Sequence, residues 1–172
     1  MSTLINGFLN VSRLEAGQIH IQRTGFDMAG LIKETEEESF AQFTSHKIVF
    51  APVGRTMVNA DRDKIGQVIG NLISNAVKYS PHNSTINIAC VTREGMAVVS
   101  VQDEGMGISQ KDLPKLFERF YRVENNEYQH VAGFGIGLYL CAEIIKRHDG
   151  NIWAESEPGK GSIFKFTLPV AE

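Results

Sequence analysis

Cysteine is scarce in this chain: Cys90 and Cys141 are the only two among 172 residues. One falls in a predicted strand and the other in a predicted helix, so no disulfide framework follows and a reducing compartment suits them. No apolar run approaches the roughly 20 residues that a helix needs to cross a bilayer. The N-terminus lacks the basic-then-apolar order of a secretory signal. Basic charge is not in excess either. Seventeen Lys and Arg against 20 Asp and Glu leave a net charge of −3, and the isoelectric point is near 6.0. That argues against a nucleic-acid binder, whose footprint is a basic patch. Internal repeats and low-complexity tracts are missing as well. What is present, with 42% hydrophobic residues, suffices for one cored domain with a small appendage.

The pattern that organises the rest runs from Asp61 to Pro81. Ile65, Val68, Ile69, Leu72, Ile73, Ala76 and Val77 recur at helical spacing and make one broad apolar stripe. Gln67, Asn71, Asn75 and Lys78 fall on another stripe. Asp61 suits the cap, and Pro81 biases Ser80 away from helical angles and ends the helix. Two asparagines one turn apart, followed by lysine, are a poor way to build a plain solvated face, because asparagine is a weak helix former. A neutral amide oxygen suits a hard cation that already carries phosphate oxygens, and a lysine suits the anion.

Around this helix the chain alternates irregularly. Thr3 to Glu15, with Ile5, Phe8 and Leu9 on one side, predicts a short helix ended by Gly17 and too short to stand alone in water. Gln18 to Thr24 alternates Ile19 and Ile21 with polar residues and predicts a strand. Asp27 is expected to cap a helix reaching about Ser45, with Glu34, Glu36, Glu37 and Glu38 solvated. Strands are expected over Lys47 to Ala51 and Arg55 to Asn59, and a hairpin over Thr85 to Arg93 and Met96 to Gln102 around Glu94-Gly95. Ser109 or Asp112 caps a short helix from Leu113 to Arg119, and a further helix runs from about Gly135 to His148, stopped by Gly150. Asn151 to Ser156 and Ser162 to Val170 close the chain as a hairpin. Helices mixed with hairpins, without strict alternation, predict an α+β two-layer sandwich with helices on one face of a mixed sheet.

Three glycine clusters follow the organising helix. Gly133-Phe-Gly135-Ile-Gly137 fails as a dinucleotide fingerprint, because a polar loop stands where a strand should precede it. It reads either as a loop break or as a helix N-terminus with exposed amides, which is an anion site. Asp103-Glu-Gly105-Met-Gly107 could be a turn after a strand. A lone carboxylate beside backbone amides is also suited to an adenine edge: it accepts from the exocyclic amine while the glycines let the base lie close. Gly159-Lys-Gly161-Ser162 alone is a hairpin turn.

In this order, Asn71 to Pro81, Asp103 to Ile108, Leu116-Phe117-Glu-Arg-Phe120-Tyr121-Arg122, Gly133 to Leu138 and Gly159 to Ser162 resemble the catalytic and ATP-binding domain of sensor histidine kinases. They are similar to that family's N box, glycine boxes and F box over about Phe26 to Val170. The resemblance implies the ATP-binding (Bergerat) sandwich shared with DNA gyrase, Hsp90 and MutL. It implies that residues 18–172 are the catalytic domain and residues 1–17 the tail of a dimerisation helix with its linker. By resemblance, Asn75 is the Mg²⁺ ligand, Asn71 its neighbour at the phosphates, Lys78 a phosphate-contacting cation and Tyr79 a ring beside adenine. Asp103 reads adenine, and Gly105, Gly107 and Ile108 shape that pocket. Gly133, Gly135, Ile136, Gly137 and Leu138 form the end of an ATP lid spanning about Arg122 to Ala132, and Ser162 lines the site. Phe117 and Phe120 steady the lid, although Phe117 equally suits a core position. Arg119 and Arg122 reach phosphate or a partner domain, or are simply solvated. Phe134 is bulkier than the small residue usual there.

The position four before Asn75 is Asn71, where gyrase-like ATPases and anti-sigma-factor serine kinases carry a glutamate. An amide is no base, so transfer to an imidazole is favoured over hydrolysis. A non-catalytic nucleotide-sensing module and a hydrolytic ATPase are the alternatives. No histidine here has the family's acceptor context of a helical histidine followed by acid and base. His148 is expected as a positive charge at a helix C-terminus. The expectation is therefore a monomeric piece of a longer homodimeric, membrane-anchored kinase, lying in the cytoplasm. It binds ATP and Mg²⁺ without labelling itself. Its partners are its own dimerisation domain and a response regulator, and nucleic acid is not among them.

Overall fold

A computed structural model describes residues 19–123 and 136–171. The helix expected over Thr3 to Glu15, Gly17, Gly133, Phe134, Gly135 and most of the expected lid lie outside those residues. The elements are β1 (Thr24–Asp27), α1 (Met28–Gln42), β2 (Lys47–Phe50), β3 (Met57–Ala60), α2 (Arg62–Tyr79), β4 (Thr85–Arg93), β5 (Met96–Asp103), a 3-10 turn (Leu113–Lys115), α3 (Gly137–Lys146), β6 (Ile152–Ser156) and β7 (Ser162–Pro169).

Five strands form one sheet in the order β2-β4-β5-β7-β6. The β2–β4 pair is parallel and the other pairs are antiparallel, so the sheet is mixed, as expected. Period-two alternation sends Ile86, Ile88 and Cys90 of β4, Ala97, Val99 and Val101 of β5, and Phe166 and Leu168 of β7 to one buried face. Helices α1 to α3 close over that face and complete a two-layer α+β sandwich. Helix α2 is its spine: Ile65, Val68, Ile69, Leu72, Ile73 and Ala76 are all buried. Fully burying such a side chain stabilises by about 1.5–3 kcal/mol, so this one stripe anchors the orientation of the polar stripe beside it.

Local chemistry sets the ends. The Asp61 carboxylate accepts from the Lys64 amide at 3.2 Å and caps α2. Asp27 caps α1 through the Ala29 amide at 3.0 Å and also accepts from the Thr56 amide at 2.9 Å, which ties the helix start to β3. The β4–β5 turn places Glu94 at φ 50° and Gly95 at φ 76°, the left-handed pair that matches strand twist.

Several boundaries differ from expectation: α1 ends at Gln42 and not near Ser45, and β3 runs Met57–Ala60 and not from Arg55. The strand expected over Gln18 to Thr24 begins only at Thr24, because its partner β3 ends at Ala60, opposite Thr24. Beyond that point the next residue, Asp61, already belongs to the start of α2. The Gln22 amide therefore bonds the Asp61 carboxylate at 2.9 Å instead of a strand carbonyl, and Ile19 is buried without pairing. The helix expected to reach Arg119 is a single 3-10 turn, continued only by short-range bonds such as Glu118 N to Lys115 O and Tyr121 N to Glu118 O. The last helix starts at Gly137 and ends at Lys146.

His148 is a correction of substance. It is 1% exposed, its Nε2 accepts from the Asp61 amide at 3.0 Å, and its Nδ1 lies 2.7 Å from the Ile144 carbonyl. A nitrogen that accepts an amide proton needs its lone pair, so the ring is the neutral Nδ1–H tautomer and no helix-terminal cation. Gly150 also differs in its reason. The left-handed residue after α3 is Asp149, at φ 59°. A Cβ on Gly150 would fall 1.9 Å from the Thr167 carbonyl, so it is a close approach to β7 that demands glycine there.

Candidate functional site

Asp103 continues the inward series of Val99 and Val101 on β5, which carries a carboxylate into the buried face at the strand's last residue. It is 6% exposed, and burial pushes its carboxyl up to about 6. The amides of Gly105 and Ser162 hold the carboxyl from rising further, and the Gly105 amide donates at 2.8 Å. Ser162 is there because β7 pairs with β5 in the register that sets it opposite Asp103.

The loop after β5 joins that carboxylate to the end of α2. A Cβ on Gly105 would sit 2.5 Å from the Tyr79 carbonyl and 2.8 Å from Asp103 Oδ1, so only glycine lets helix end and carboxylate converge. Gly107, at φ +77°, has the Glu157 carbonyl 2.0 Å from where its Cβ would be. The Ile108 amide donates to Ser156 Oγ at 2.7 Å. That hydroxyl donates to the Gly161 carbonyl at 2.8 Å and also meets Ser162 Oγ at 2.8 Å. The loop is thus fastened onto the β6–β7 hairpin and keeps the carboxylate's surroundings rigid.

On α2, Asn71 and Asn75 are half-buried, Lys78 is exposed and Tyr79 is half-buried. The Asn71 Nδ2 donates to Cys141 Sγ of α3 at 3.7 Å. Among the described residues no group of three or more His, Cys, Asp or Glu could hold a metal ion. A cation on this face would draw on neutral amide oxygens and on the phosphates of its ligand, which is the donor set a hard divalent ion accepts.

Residues 60–172 match the family described as histidine kinase-, DNA gyrase B-, and HSP90-like ATPase. The chain belongs to that family. Sensor histidine kinase WalK of Bacillus subtilis (strain 168) is 36% identical over 180 residues, 100% of this chain and 29% of the relative. Adaptive-response sensory kinase SasA of Synechococcus sp. (strain JA-2-3B'a(2-13)) is 37% identical over 174 residues, 99% of this chain and 46% of the relative. The chain thus spans less than half the length of these two curated relatives. The nucleotide-free catalytic domain of histidine kinase ThkA superposes with a TM-score of 0.71 at 30% identity, covering 86% of this chain and 97% of that one. Full-length ShkA in complex with AMPPNP, at 24% identity, shares the fold with a TM-score of 0.84, covering 98% of this chain and 35% of that one.

In this member of the ATPase family the structure gathers Tyr79, Asp103, Gly105, Gly107, Ile108 and Ser162 at one end of α2. Asn71 and Asn75 lie further along the same helix, and Asn71 meets α3 through Cys141. Gly137 is the first residue of α3, Ile136 is buried beneath it and Leu138 is half-buried. Phe117 is half-buried and packs edge-on against Phe164 at 6.3 Å. Phe120 is not gathered in. It is 54% exposed, at φ 63°, with the Arg119 guanidinium 5.2 Å from its ring. Arg122 is exposed beside it. Sequence reasoning missed Ser156, Cys141 and the bond from Tyr121 to Asp112. Ser156 and Cys141 act through partners 48 and 70 positions away, Ile108 and Asn71, so no local pattern marks them. Among the described residues no helix is long and apolar enough to cross a membrane.

Proposed function

We propose that this chain is the ATP·Mg²⁺-binding catalytic domain of a two-component sensor histidine kinase. It transfers the γ-phosphate to a histidine on a dimerisation helix that this chain does not contain, for relay to a response regulator. The observation that carries the reading is Asp103, a buried carboxylate with one oxygen on the Gly105 amide, and the place where its glycine loop meets the end of α2 is read as a purine recess. Such a group accepts from a purine amine, and few other ligands justify the cost of burying it. Tyr79, Gly105, Gly107, Ile108 and Ser162 shape that recess. Asn71, Asn75 and Lys78 continue the stripe toward the triphosphate, with Asn75 as metal ligand and Lys78 neutralising phosphate charge. Gly133, Gly135, Ile136, Gly137 and Leu138, with Phe120 and Arg122, are assigned to the lid side of the nucleotide. Asn75 would hold Mg²⁺, which would supply neutralisation of phosphate charge during transfer.

Asn71 distinguishes transfer from hydrolysis. Its amide cannot take a proton from water, whereas an imidazole acceptor brings its own lone pair. Residues 1–17 are read as the tail of the dimerisation helix and residues 18–172 as the catalytic domain. The fragment is monomeric in this reading, the whole protein a homodimer anchored in a membrane with this domain in the cytoplasm. Calorimetry with ADP tests the adenine end. Asp103→Asn leaves a donor facing a donor and costs about 1–3 kcal/mol, roughly 5- to 150-fold in affinity. Unchanged ADP binding would remove the basis of the proposal.

A further inference from the structure

We infer that Cys141 is a positioning residue for Asn71: its sulfur accepts the amide nitrogen and so makes Asn71 present oxygen, and not nitrogen, to the polar stripe of α2. This inference rests on the reading of that stripe as the metal and phosphate face. Cys141 sits on α3, is 0% exposed, and has its thiol pushed up to about 12 by burial, so the sulfur is neutral. The contact is Asn71 Nδ2 to Cys141 Sγ at 3.7 Å. No bond to Asn71 Oδ1 forms among the described residues, and no buried side-chain nitrogen or oxygen in them lacks a partner. The oxygen therefore stands in contact with solvent. Nitrogen and oxygen share one planar carbon, so fixing the first aims the second. A neutral thiol is both a weak acceptor and a weak donor, and here the contact it makes is with the amide nitrogen.

The orientation matters because the two faces of an amide are chemically opposite. An oxygen at position 71, one turn before Asn75, adds a second neutral ligand or acceptor where a hard cation and its waters would sit. A nitrogen there would repel the cation. Loss of the sulfur frees the amide to flip and puts the nitrogen forward in part of the molecules. The fold stays intact, because the apolar packing of α2 on α3 does not involve that bond.

Cys141→Val removes the acceptor and adds about one methyl group of bulk, while Cys141→Ser keeps an acceptor in a smaller side chain. Two measurements on this chain decide the matter. The first is the ratio of ATP affinity with Mg²⁺ to that with chelator, alongside ADP affinity in chelator. Cys141→Val is expected to lower the ratio about threefold to tenfold and leave ADP in chelator unchanged, and Cys141→Ser to retain most of it. An unchanged ratio in Cys141→Val, equal losses in both affinities, or a Cys141→Ser variant as weak as Cys141→Val would overturn the inference. The second is the side-chain amide signal of Asn71 in a ¹⁵N spectrum, expected to shift and exchange faster in Cys141→Val. An unmoved signal would equally overturn it. Should the unsubstituted chain show no Mg²⁺ effect at all, the metal reading of α2 fails, and the amide signal alone then decides the orientation.

Discussion

At the scale of single residues, Asp103 makes a pH signature. Its folded carboxyl is raised to about 6 from an ordinary 3.8, so the folded chain holds that proton more tightly than the unfolded one. Stability from this group is therefore fully present below the unfolded value and is lost as pH rises through about 6. Nucleotide binding runs the other way, because the purine amine needs the ionised carboxylate. ADP affinity is expected to fall as pH drops through about 6, and Asp103→Asn is expected to abolish that step; a profile identical in the variant would detach the step from Asp103. Asn75 gives a second test. Asn75→Ala is expected to weaken ATP in the presence of Mg²⁺ more than it weakens adenosine, and equal losses would speak against a metal role.

At the scale of elements, α2 draws its precision from both ends. Its start is held by a node in which Asp61 caps the helix, receives the Gln22 amide and donates to buried His148 at the end of α3. Its end meets the Gly105 loop. His148→Leu leaves the Asp61 amide and the Ile144 carbonyl without their partner in a dry place, at about 1–3 kcal/mol for each unsatisfied group. Urea unfolding is expected to show a loss of that order, with ADP affinity per folded molecule nearly unchanged because the node lies away from the recess. A loss confined to a few tenths would mean that water replaces the ring. Asp61→Ala is expected to cost about 0.5–2 kcal/mol through the cap alone.

At the scale of the whole molecule, helices α1 to α3 cover one face of the sheet, and the Asp103 loop meets the end of α2 there. Among the described histidines, His148 is buried and bonded through both ring nitrogens, and His46 bonds Ser45 and the Ser80 carbonyl. Incubation with γ-labelled ATP is expected to leave this chain unlabelled, and addition of a histidine-bearing dimerisation hairpin of the same kinase to yield label on the hairpin. Stoichiometric label on any histidine of this chain, or steady release of phosphate by it, would point to a different chemistry.

The sequence by itself determined α2, its cap, its polar stripe, the β4–β5 turn and the pairing of Asp103 with nearby glycines, because each depends on neighbours within a turn or a strand. Helical period, capping chemistry and left-handed turn residues act over a few positions and are legible there. Tertiary structure alone decided that the first strand opens at Thr24, since pairing needs a partner and β3 runs out at Ala60. It alone decided that His148 is a neutral buried strut, that Gly150 serves β7, and that Cys141 touches Asn71 across 70 residues. Those outcomes turn on which backbone and side-chain groups lie within hydrogen-bond or contact distance after packing, and sequence spacing carries no record of that distance.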